Sequence, residues 1–502
     1  MSKVLILGID GMDAGLIARF EDRLPNLRKL KESSPAFDFR SLYPPDTATA
    51  WASIYTGWNP ARHGLVLFKD PLEKASETHY ADTDNSVLRG NTFWDIAGKG
   101  NKKVCLLFPH LGYPIWKVNG IMMGRSGEMD IEKFPIQTFP RSLSQRYELS
   151  SLDVVRGMPS RRRYNSFINS WKKVIENETG LGLKMLADAG GDLFFLYSSA
   201  LDWVQHNFWA HFDEEDSSYP GDTPFKNIIP DFYRLYDEVV GQFLAAVDTD
   251  TVVIILSDHG HGRRPTTLVN LNELLREKGL LASRIKRRNY SDPIFAVQGL
   301  TRKVADFINR YNTYGVGGAA MKLMRLFPRA RKLYTSPLAI DWENTIAYVS
   351  DLSGIKAYTY GGIVIRRDKL AGGEYDNIRR SLVKEIAGLR HPDNNEELVK
   401  WVCGREDLYQ GEFIDKYPDI VFELKDGYGA GWEILGPFIS PCRTHNVVPG
   451  SHKVDTPVLL MANCAREPAS TKVSLMDIAP TVLDILGVEG DFNFDGKSIF
   501  LG

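Results

Sequence analysis

Short apolar runs recur along this 502-residue chain and alternate with longer stretches of helical periodicity. The clearest runs are VLILGID (4–10), KVCLLFP (103–109), DLFFLYSSA (192–200), TVVIILSD (251–258) and PVLLM (457–461). Runs this short and apolar on both faces are typical of parallel strands that helices cover on both sides. We therefore expect an α/β fold with a mostly parallel central sheet flanked by helices.

The pattern changes between residues 263 and 440. Strand-like runs occur at 363–367, 398–404 and 419–424, and a helical stretch occurs at 376–389. These shorter elements predict a small α+β unit placed inside the larger fold. We therefore predict a core formed by residues 1–262 and 441–502, with an inserted cap at 263–440 that selects the substrate.

Composition excludes several classes of protein. The net charge of −2 gives no general signature of nucleic-acid binding. The four cysteines are far apart and form no CxxC pair, which argues against a disulfide framework or a thiolate zinc site. No apolar run approaches the roughly 18 residues that span a bilayer, and the first run is too short for a signal peptide. These features predict a cytoplasmic protein.

One stretch, residues 284–332, is strongly basic, with about a dozen Lys and Arg and only two acids among Tyr, Phe and Leu. The favoured interpretation is a solvated face of the cap. Two alternatives stay open. One is a peripheral contact with anionic lipid, because the stretch is amphipathic as well as basic. The other is a patch for nucleic acid or another anionic polymer.

Acids and histidines follow several of the apolar runs. Because ligands gather at the carboxyl ends of parallel strands, these side chains are candidate metal ligands. The candidates are Asp10, Asp202, His206, Asp258, His259 and His452. Asp202 and His206 are spaced i,i+4, which puts them on one face of a helix. Singly, each is better explained as a turn cap or an ordinary buried polar residue. Together, their oxygen and nitrogen atoms suit two zinc or manganese ions.

The stretch YPPDTATAWASIYTG (43–57) places hydroxyl groups where a helix is predicted to begin. The amino end of a helix favours phosphate, so a threonine here is a candidate nucleophile. The alternative is that Thr47 or Thr49 only caps the helix, a role that Asp46 fills equally well.

These motifs, taken in order, resemble the alkaline phosphatase superfamily, most closely its type I phosphodiesterase/nucleotide pyrophosphatase branch. The matching segments are GIDGM (8–12), Thr47 nine residues before TG (56–57), NPARHG (59–64), D-x-x-x-H (202–206), SDHG (257–260), G-x-H (450–452) and DIAPTVLDILG (477–487). The resemblance implies an alkaline phosphatase-like core that hydrolyses phosphoesters through a phospho-threonine intermediate.

The resemblance also implies a role for each candidate. Asp202, His206 and His452 are expected to hold one divalent ion. Asp10, Asp258 and His259 are expected to hold a second ion, beside Thr47 as ligand and nucleophile. His452 is favoured over His445 because it fits the G-x-H position. His261 is expected to form only a wall of the pocket.

The chain departs from the branch at one position, where Phe68 stands in place of an asparagine that helps to hold a phosphoryl oxygen, with Lys69 as its neighbour. Phosphoester hydrolysis is therefore a firmer expectation than nucleotide pyrophosphatase activity. The window 47–51 lacks the Cys and Arg of a sulfatase. A phosphotransferase or phosphomutase remains an alternative, and a non-catalytic binding protein a weaker one.

Three arginines are candidates for contact with an anionic group of the substrate, since guanidinium groups suit phosphate and carboxylate. They are Arg125, Arg263 and Arg264. Their alternative is ordinary surface charge.

Overall fold

The computed structural model describes residues 3–66, 84–126, 136–149, 159–285, 339–350, 357–442, 445 and 448–501. Within these ranges the strands are β1 Lys3–Ile9, β2 Asp38–Arg40, β3 Val104–Leu107, β4 Gly120–Gly124, β5 Gln137–Phe139, β6 Leu193–Ser198, β7 Thr251–Leu256, β8 Gly260–Arg263, β9 Thr267–Asn270, β10 Ala347–Ser350, β11 Tyr360–Ile365, β12 Val399–Gly404, β13 Ile420–Leu424, β14 Tyr428–Gly431, β15 Ile439–Pro441, β16 Gly450–Lys453, β17 Leu459–Ala462 and β18 Lys472–Ser474.

The α-helices of the same ranges are α1 Ala14–Arg19, α2 Pro25–Ser33, α3 Thr47–Thr56, α4 Pro60–His63, α5 Phe93–Lys99, α6 Leu143–Arg146, α7 Tyr164–Ala189, α8 Ala200–Phe212, α9 Ile228–Ala245, α10 Leu271–Glu277, α11 Glu374–Ala387, α12 Arg405–Leu408 and α13 Ile478–Ile485. Short 3-10 turns occur at Glu21–Arg23, Ser86–Leu88, Arg161–Arg163, Arg367–Lys369, Ile414–Lys416 and Leu475–Asp477. None of these described helices combines the length and the apolar character that a membrane span needs.

The central sheet has seven strands in the order β17-β7-β1-β6-β3-β4-β5. Five neighbours, from β7 to β4, run parallel, and the two edge strands β17 and β5 run antiparallel. This arrangement confirms the predicted mostly parallel α/β fold. The strand predicted at 457–461 is the antiparallel edge strand β17, a direction that its composition does not reveal.

Helices cover both faces of this sheet, as the two-sided apolar strands require. In β1, Leu5 and Leu7 contribute to one buried cluster, packed with residues of α7, α8 and α9. Val4 and Ile6 contribute to the other, packed with residues of α3, α5 and α13. The alternation follows from the two-residue repeat of a strand.

A second sheet lies within residues 263–440. Its four antiparallel strands have the order β10-β11-β13-β12, and they share a separate hydrophobic cluster with α10 and α11. This sheet supports the proposed division into core and cap, which stays a prediction. Most of the basic stretch 284–332 lies outside the described residues, and so do Phe68 and Lys69.

Helix α3 sits against β1 at a glycine. A Cβ atom built on Gly8 meets the Trp51 ring at 2.6 Å, closer than a carbon contact allows. Trp51 is fully buried and also packs edge-on against Phe195 and Tyr197 of the neighbouring strand β6. The missing side chain at Gly8 therefore sets how closely α3, and Thr47 at its first turn, approaches the sheet.

We predict that Gly8→Ala lowers the free energy of unfolding by roughly 1–3 kcal/mol, because Trp51 must move within a packed core. Denaturant or thermal unfolding measures the change. Gly180→Ala is the matched control, since Gly180 lies in α7 with no atom within 4 Å of the added carbon. The control is expected to be neutral or stabilising, and equal behaviour of the two variants would contradict the packing argument.

Candidate metal centre

Three adjacent parallel strands end at one place. Strand β1 is paired with β7 on one side and β6 on the other, with Gly8 opposite Leu256 and Tyr197. Their carboxyl ends therefore lie side by side. Asp10 follows β1, the pair Asp258 and His259 follows β7, and helix α8 with Asp202 and His206 follows β6.

The remaining predicted ligand arrives on a two-stranded ribbon. Strands β8 and β16 pair antiparallel, with His452 directly opposite His261. Strand β8 begins just after His259, so the ribbon returns His452 to the end of the central sheet. Neither sequence spacing nor periodicity reveals this pairing between residues almost 200 positions apart.

Asp202, His206 and His452 form the first of two compact groups. The Nε2 atoms of His206 and His452 are 2.9 Å apart, and Asp202 Oδ1 lies 3.4 and 3.5 Å from them. Each imidazole donates its Nδ1–H to a backbone carbonyl, His206 to Gly450 and His452 to Pro45. Both Nε2 atoms therefore present lone pairs to the same point, which fits a shared cation.

Asp10, Asp258 and His259 form the second group. His259 Nε2 lies 3.4 Å from Asp10 Oδ1 and 3.3 Å from Asp258 Oδ2. His259 donates its Nδ1–H to the carbonyl of Gly260, so its Nε2 also carries a lone pair. Within each of these two groups, the candidate ligating atoms all lie within 4.8 Å of one another.

Hydrogen bonding leaves the inward-facing carboxylate oxygens unsatisfied. Asp10 Oδ1, Asp202 Oδ1 and Asp258 Oδ2 are buried and accept no hydrogen bond within the described part of the chain. The other oxygen of Asp10 accepts a hydrogen bond from the Tyr197 hydroxyl, and the other oxygen of Asp258 accepts one from the Gly11 amide. Buried, unsatisfied carboxylate oxygens beside imidazole lone pairs are the surroundings that divalent cations require, so the residues fit two such ions.

The pKa shifts of the carboxyl groups have the same origin. Burial, and then the charges of Asp258 and Asp202, raise the pKa of Asp10 well above its ordinary value. Burial raises the pKa of Asp258 to about 7, with His452 opposing the shift. Asp202 is equally buried, but His206, His261 and His452 outweigh burial and hold its pKa well below the ordinary value. Without a cation, Asp10 and Asp258 therefore resist ionisation, whereas the imidazoles favour the ionised form of Asp202.

Burial also lowers the pKa of His259 well below its ordinary value, and the neighbouring His452 adds to the effect. A neutral imidazole is the form that binds a metal ion. The ring of His259 stacks on the ring of His452 with 3.7 Å between centroids, which ties the two groups together.

Thr47 is the first residue of α3, and its Oγ1 lies 3.2 Å from His259 Nε2. Asp46 caps the helix, because its side chain accepts from the amides of Ala48 and Thr49. Thr47 is therefore not needed as the cap. Thr49 is fully buried, and its hydroxyl has no partner among the described residues. Of the two candidates, the structure places only Thr47 at the metal centre.

The predicted substrate arginines are engaged with the protein. Arg263 forms a forked pair with Asp213 at 2.8 and 2.9 Å. Arg125 pairs with Glu178 at 2.6 Å and lies over the Phe108 ring. Substrate contact by these two arginines stays a prediction.

Arg264 occupies a different environment from the one predicted. Its side chain is buried, with 1% exposed, and it donates to the carbonyls of Val448, Ala357 and Gly450. The Gly450 carbonyl also accepts from His206. Arg264 therefore supports the backbone that holds His206, a candidate metal ligand, and contact of Arg264 with the substrate stays a prediction.

Two residues at the centre carry roles that sequence reasoning did not assign. Tyr197, the donor to Asp10, lies at the end of β6 and is also 3.3 Å from His110 Nδ1. His261 lies inside the cluster, 3.4 Å from Asp202 Oδ1, and not merely at its wall. Tyr197 lies on strand β6, five residues before Asp202, and this position is the feature of the sequence that could have identified it.

A model of the type I phosphodiesterase/nucleotide pyrophosphatase family matches residues 4–431. Among solved structures, phosphonoacetate hydrolase from Sinorhizobium meliloti 1021, in complexes with phosphonoformate and with phosphonoacetate, is 14% identical, with a TM-score of 0.54 and coverage of 97% of this chain and 96% of that chain. Murine ectonucleotide pyrophosphatase/phosphodiesterase 5 is 12% identical, with a TM-score of 0.47 and coverage of 97% and 95%. A search of curated proteins found no match. The first likeness supports the fold alone.

The raised pKa of Asp258 predicts how the metal-free protein responds to pH. Folded Asp258 keeps its proton to about pH 7, whereas an ordinary aspartate loses it near 3.8. Between these values the unfolded chain binds fewer protons, so the free energy of unfolding falls as pH rises, by up to about 1.4 kcal/mol per pH unit.

Asp258→Asn removes the titrating carboxyl group, so the free energy of unfolding of the metal-free variant should fall less as pH rises. Above about pH 7, the metal-free variant should be more stable than metal-free wild type. Thermal unfolding of chelator-treated protein across the pH range measures the effect. Zinc should raise the midpoint of wild type and much less that of the variant. Parallel pH curves for the two metal-free proteins would contradict the assignment.

Proposed function

The chain belongs to the type I phosphodiesterase/nucleotide pyrophosphatase family, and from this premise we propose that it cleaves its phosphoester substrate through a phospho-threonine at Thr47. It is a metal-dependent phosphoester hydrolase by family membership. The proposal adds three points to family membership. Thr47 is the nucleophile, the protein binds two divalent ions of zinc or manganese, and it prefers phosphodiesters or activated phosphoesters over monoesters.

One observation carries the choice of nucleophile: Thr47 Oγ1 lies 3.2 Å from His259 Nε2, at the amino end of α3. Because His259 Nδ1–H is committed to Gly260, the Thr47 hydroxyl donates to Nε2 in the structure. A divalent ion bound at Nε2 would displace this hydrogen bond and leave Thr47 Oγ1 beside the ion. The helix dipole favours an anionic phosphoryl group at the same end.

The proposed reaction has two displacements at phosphorus. Thr47 Oγ1 releases its proton to solvent and bonds to phosphorus as the bond to the leaving oxygen breaks, and the leaving oxygen takes up a proton from water. Water then cleaves the bond between phosphorus and Oγ1, which restores the hydroxyl. Bound divalent ions would supply charge stabilisation on the transferring oxygens. Two in-line displacements give net retention of configuration at phosphorus.

The ligand sets explain the choice of metals. Each group offers carboxylate oxygen and imidazole nitrogen and no thiolate, a donor set suited to zinc and also acceptable to manganese. Asp202, His206 and His452 would hold one ion. Asp10, Asp258 and His259 would hold the other, next to Thr47.

We also propose that the cap, residues 263–440, selects the substrate. Two of its tyrosines contact the segment that leads into α3: Tyr409 accepts from the Tyr43 amide at 2.9 Å, and Tyr417 donates to the Tyr43 carbonyl at 2.7 Å. The cap thus contacts the backbone four residues before Thr47.

Three further proposals rest on the sequence alone. They are lipid- or polymer-linked substrates, peripheral membrane contact through 284–332, and a cytoplasmic location.

Thr47→Ala is predicted to reduce kcat by at least about 1000-fold while leaving the metal content unchanged, because it removes the attacking oxygen and no residue needed for folding. Thr49→Ala is the matched control, since it removes the same groups two positions further along α3. Steady-state kinetics and metal analysis compare the two. Near wild-type turnover by Thr47→Ala would remove Thr47 as the nucleophile.

A substrate panel tests the reaction class. We expect metal-reconstituted protein to turn over an aryl phosphodiester with a higher kcat/KM than the corresponding phosphomonoester or sulfate. With an added acceptor alcohol, a hydrolase should still release mainly the hydrolysed product. A dominant alkyl phosphate product would instead favour the phosphotransferase alternative, and sulfate as the best substrate would overturn the proposal.

A further inference from the structure

His261 faces the metal centre because of strand register. It stands directly opposite His452 in the antiparallel pair of β8 and β16. Directly opposite residues of an antiparallel pair project from the same face of the ribbon. The face that presents His452 to Asp202 therefore presents His261 as well, and the two ring centroids are 5.9 Å apart.

His261 is buried beside the candidate metal ligand Asp202. The residue is 2% exposed, and neither ring nitrogen forms a hydrogen bond within the described ranges. Its Nδ1 points toward Asp202 Oδ1 at 3.4 Å, and that oxygen is also unsatisfied. A buried polar side chain left without hydrogen-bond partners is destabilising, so this arrangement calls for a further binding partner.

The backbone opposite is shaped to admit the ring. A Cβ atom built on Gly450 lies 2.6 Å from His261 Nε2 and 2.8 Å from the His206 Cα atom. Glycine at position 450 therefore leaves room for the His261 ring and for the α8 backbone at His206. The ring centroids of His206 and His261 are 4.7 Å apart. Trp209 lies against the outer side, with its ring centroid 5.5 Å from that of His261.

His261 also belongs to a third group of ligating atoms, with Asp202 and His259, all within 4.8 Å of one another. This group shares Asp202 with one proposed ion site and His259 with the other. We propose that His261 is a direct metal ligand, contributing Nδ1 to the ion that Asp202 Oδ1 binds. The inference rests on the proposed two-metal function and adds a ligand to it.

An additional imidazole changes which metal the site prefers. Nitrogen ligands favour zinc over manganese more strongly than oxygen ligands do. If His261 binds the ion, its loss should weaken zinc binding more than manganese binding. A histidine that only donated a hydrogen bond to Asp202 would not produce this difference.

The first experiment measures zinc and manganese affinity by chelator competition for wild type and three variants. His261→Asn places an amide near the position of Nδ1, so it keeps a donor toward Asp202 without an imidazole ligand. His261→Ala removes both. His211→Asn is the control, since His211 is a buried histidine that contacts Thr223 at 3.0 Å away from the cluster.

We expect His261→Asn and His261→Ala to lose more than about 100-fold in zinc affinity at one of two sites, with a smaller loss for manganese, while the control is unchanged. Retention of wild-type zinc affinity by His261→Asn would overturn the inference and leave the proposed function intact. A wild-type protein that binds no metal would instead overturn the proposed function.

His261→Cys provides a test that does not rely on loss of binding. With cobalt(II) in the site, a cysteine in the coordination sphere gives a thiolate-to-cobalt charge-transfer band in the near ultraviolet. We expect this band in the variant and not in wild type, whose four cysteines are not among the residues of the metal groups. A folded, cobalt-loaded variant without the band would contradict direct ligation.

Discussion

Three buried aspartates, Asp10, Asp202 and Asp258, converge at the ends of adjacent strands, and the rest of the site is arranged around their charge. Each has an inward oxygen with no acceptor role within the described chain. Desolvation raises the pKa of two of them, and neighbouring imidazoles depress the third. Bound cations would offset the cost of ionising Asp10 and Asp258 in this buried site, so metal binding is expected to stabilise the folded state.

The elements around this cluster hold it from several directions. Tyr197 and Gly11 bind the outer oxygens of Asp10 and Asp258, while backbone carbonyls orient the imidazoles. Arg264 donates a hydrogen bond to the Gly450 carbonyl. Helix α3 brings Thr47 beside His259, with Asp46 as cap and Trp51 seated on Gly8. The proposed nucleophile is thus placed by core packing and not by a loop.

Sequence patterns predicted the parts of this arrangement that depend on local periodicity. The strands β1, β6 and β7 follow from apolar runs, and the D-x-x-x-H spacing follows from helix geometry. Two features of the site depend instead on contacts between distant segments. The burial of Arg264 follows from carbonyls at 357, 448 and 450, and the position of His261 follows from the register of β8 with β16. Periodicity carries no information about either.

Anomalous X-ray diffraction from crystals of zinc-reconstituted protein is the most direct test of metal binding at the ends of β1, β6 and β7. We expect two zinc peaks roughly 3.5–4 Å apart, one bound by Asp202, His206 and His452, the other by Asp10, Asp258 and His259 beside Thr47. The first peak should also lie within bonding distance of His261 Nδ1. An absence of zinc at these strand ends, or zinc bound only elsewhere on the chain, would rule out the proposed metal centre.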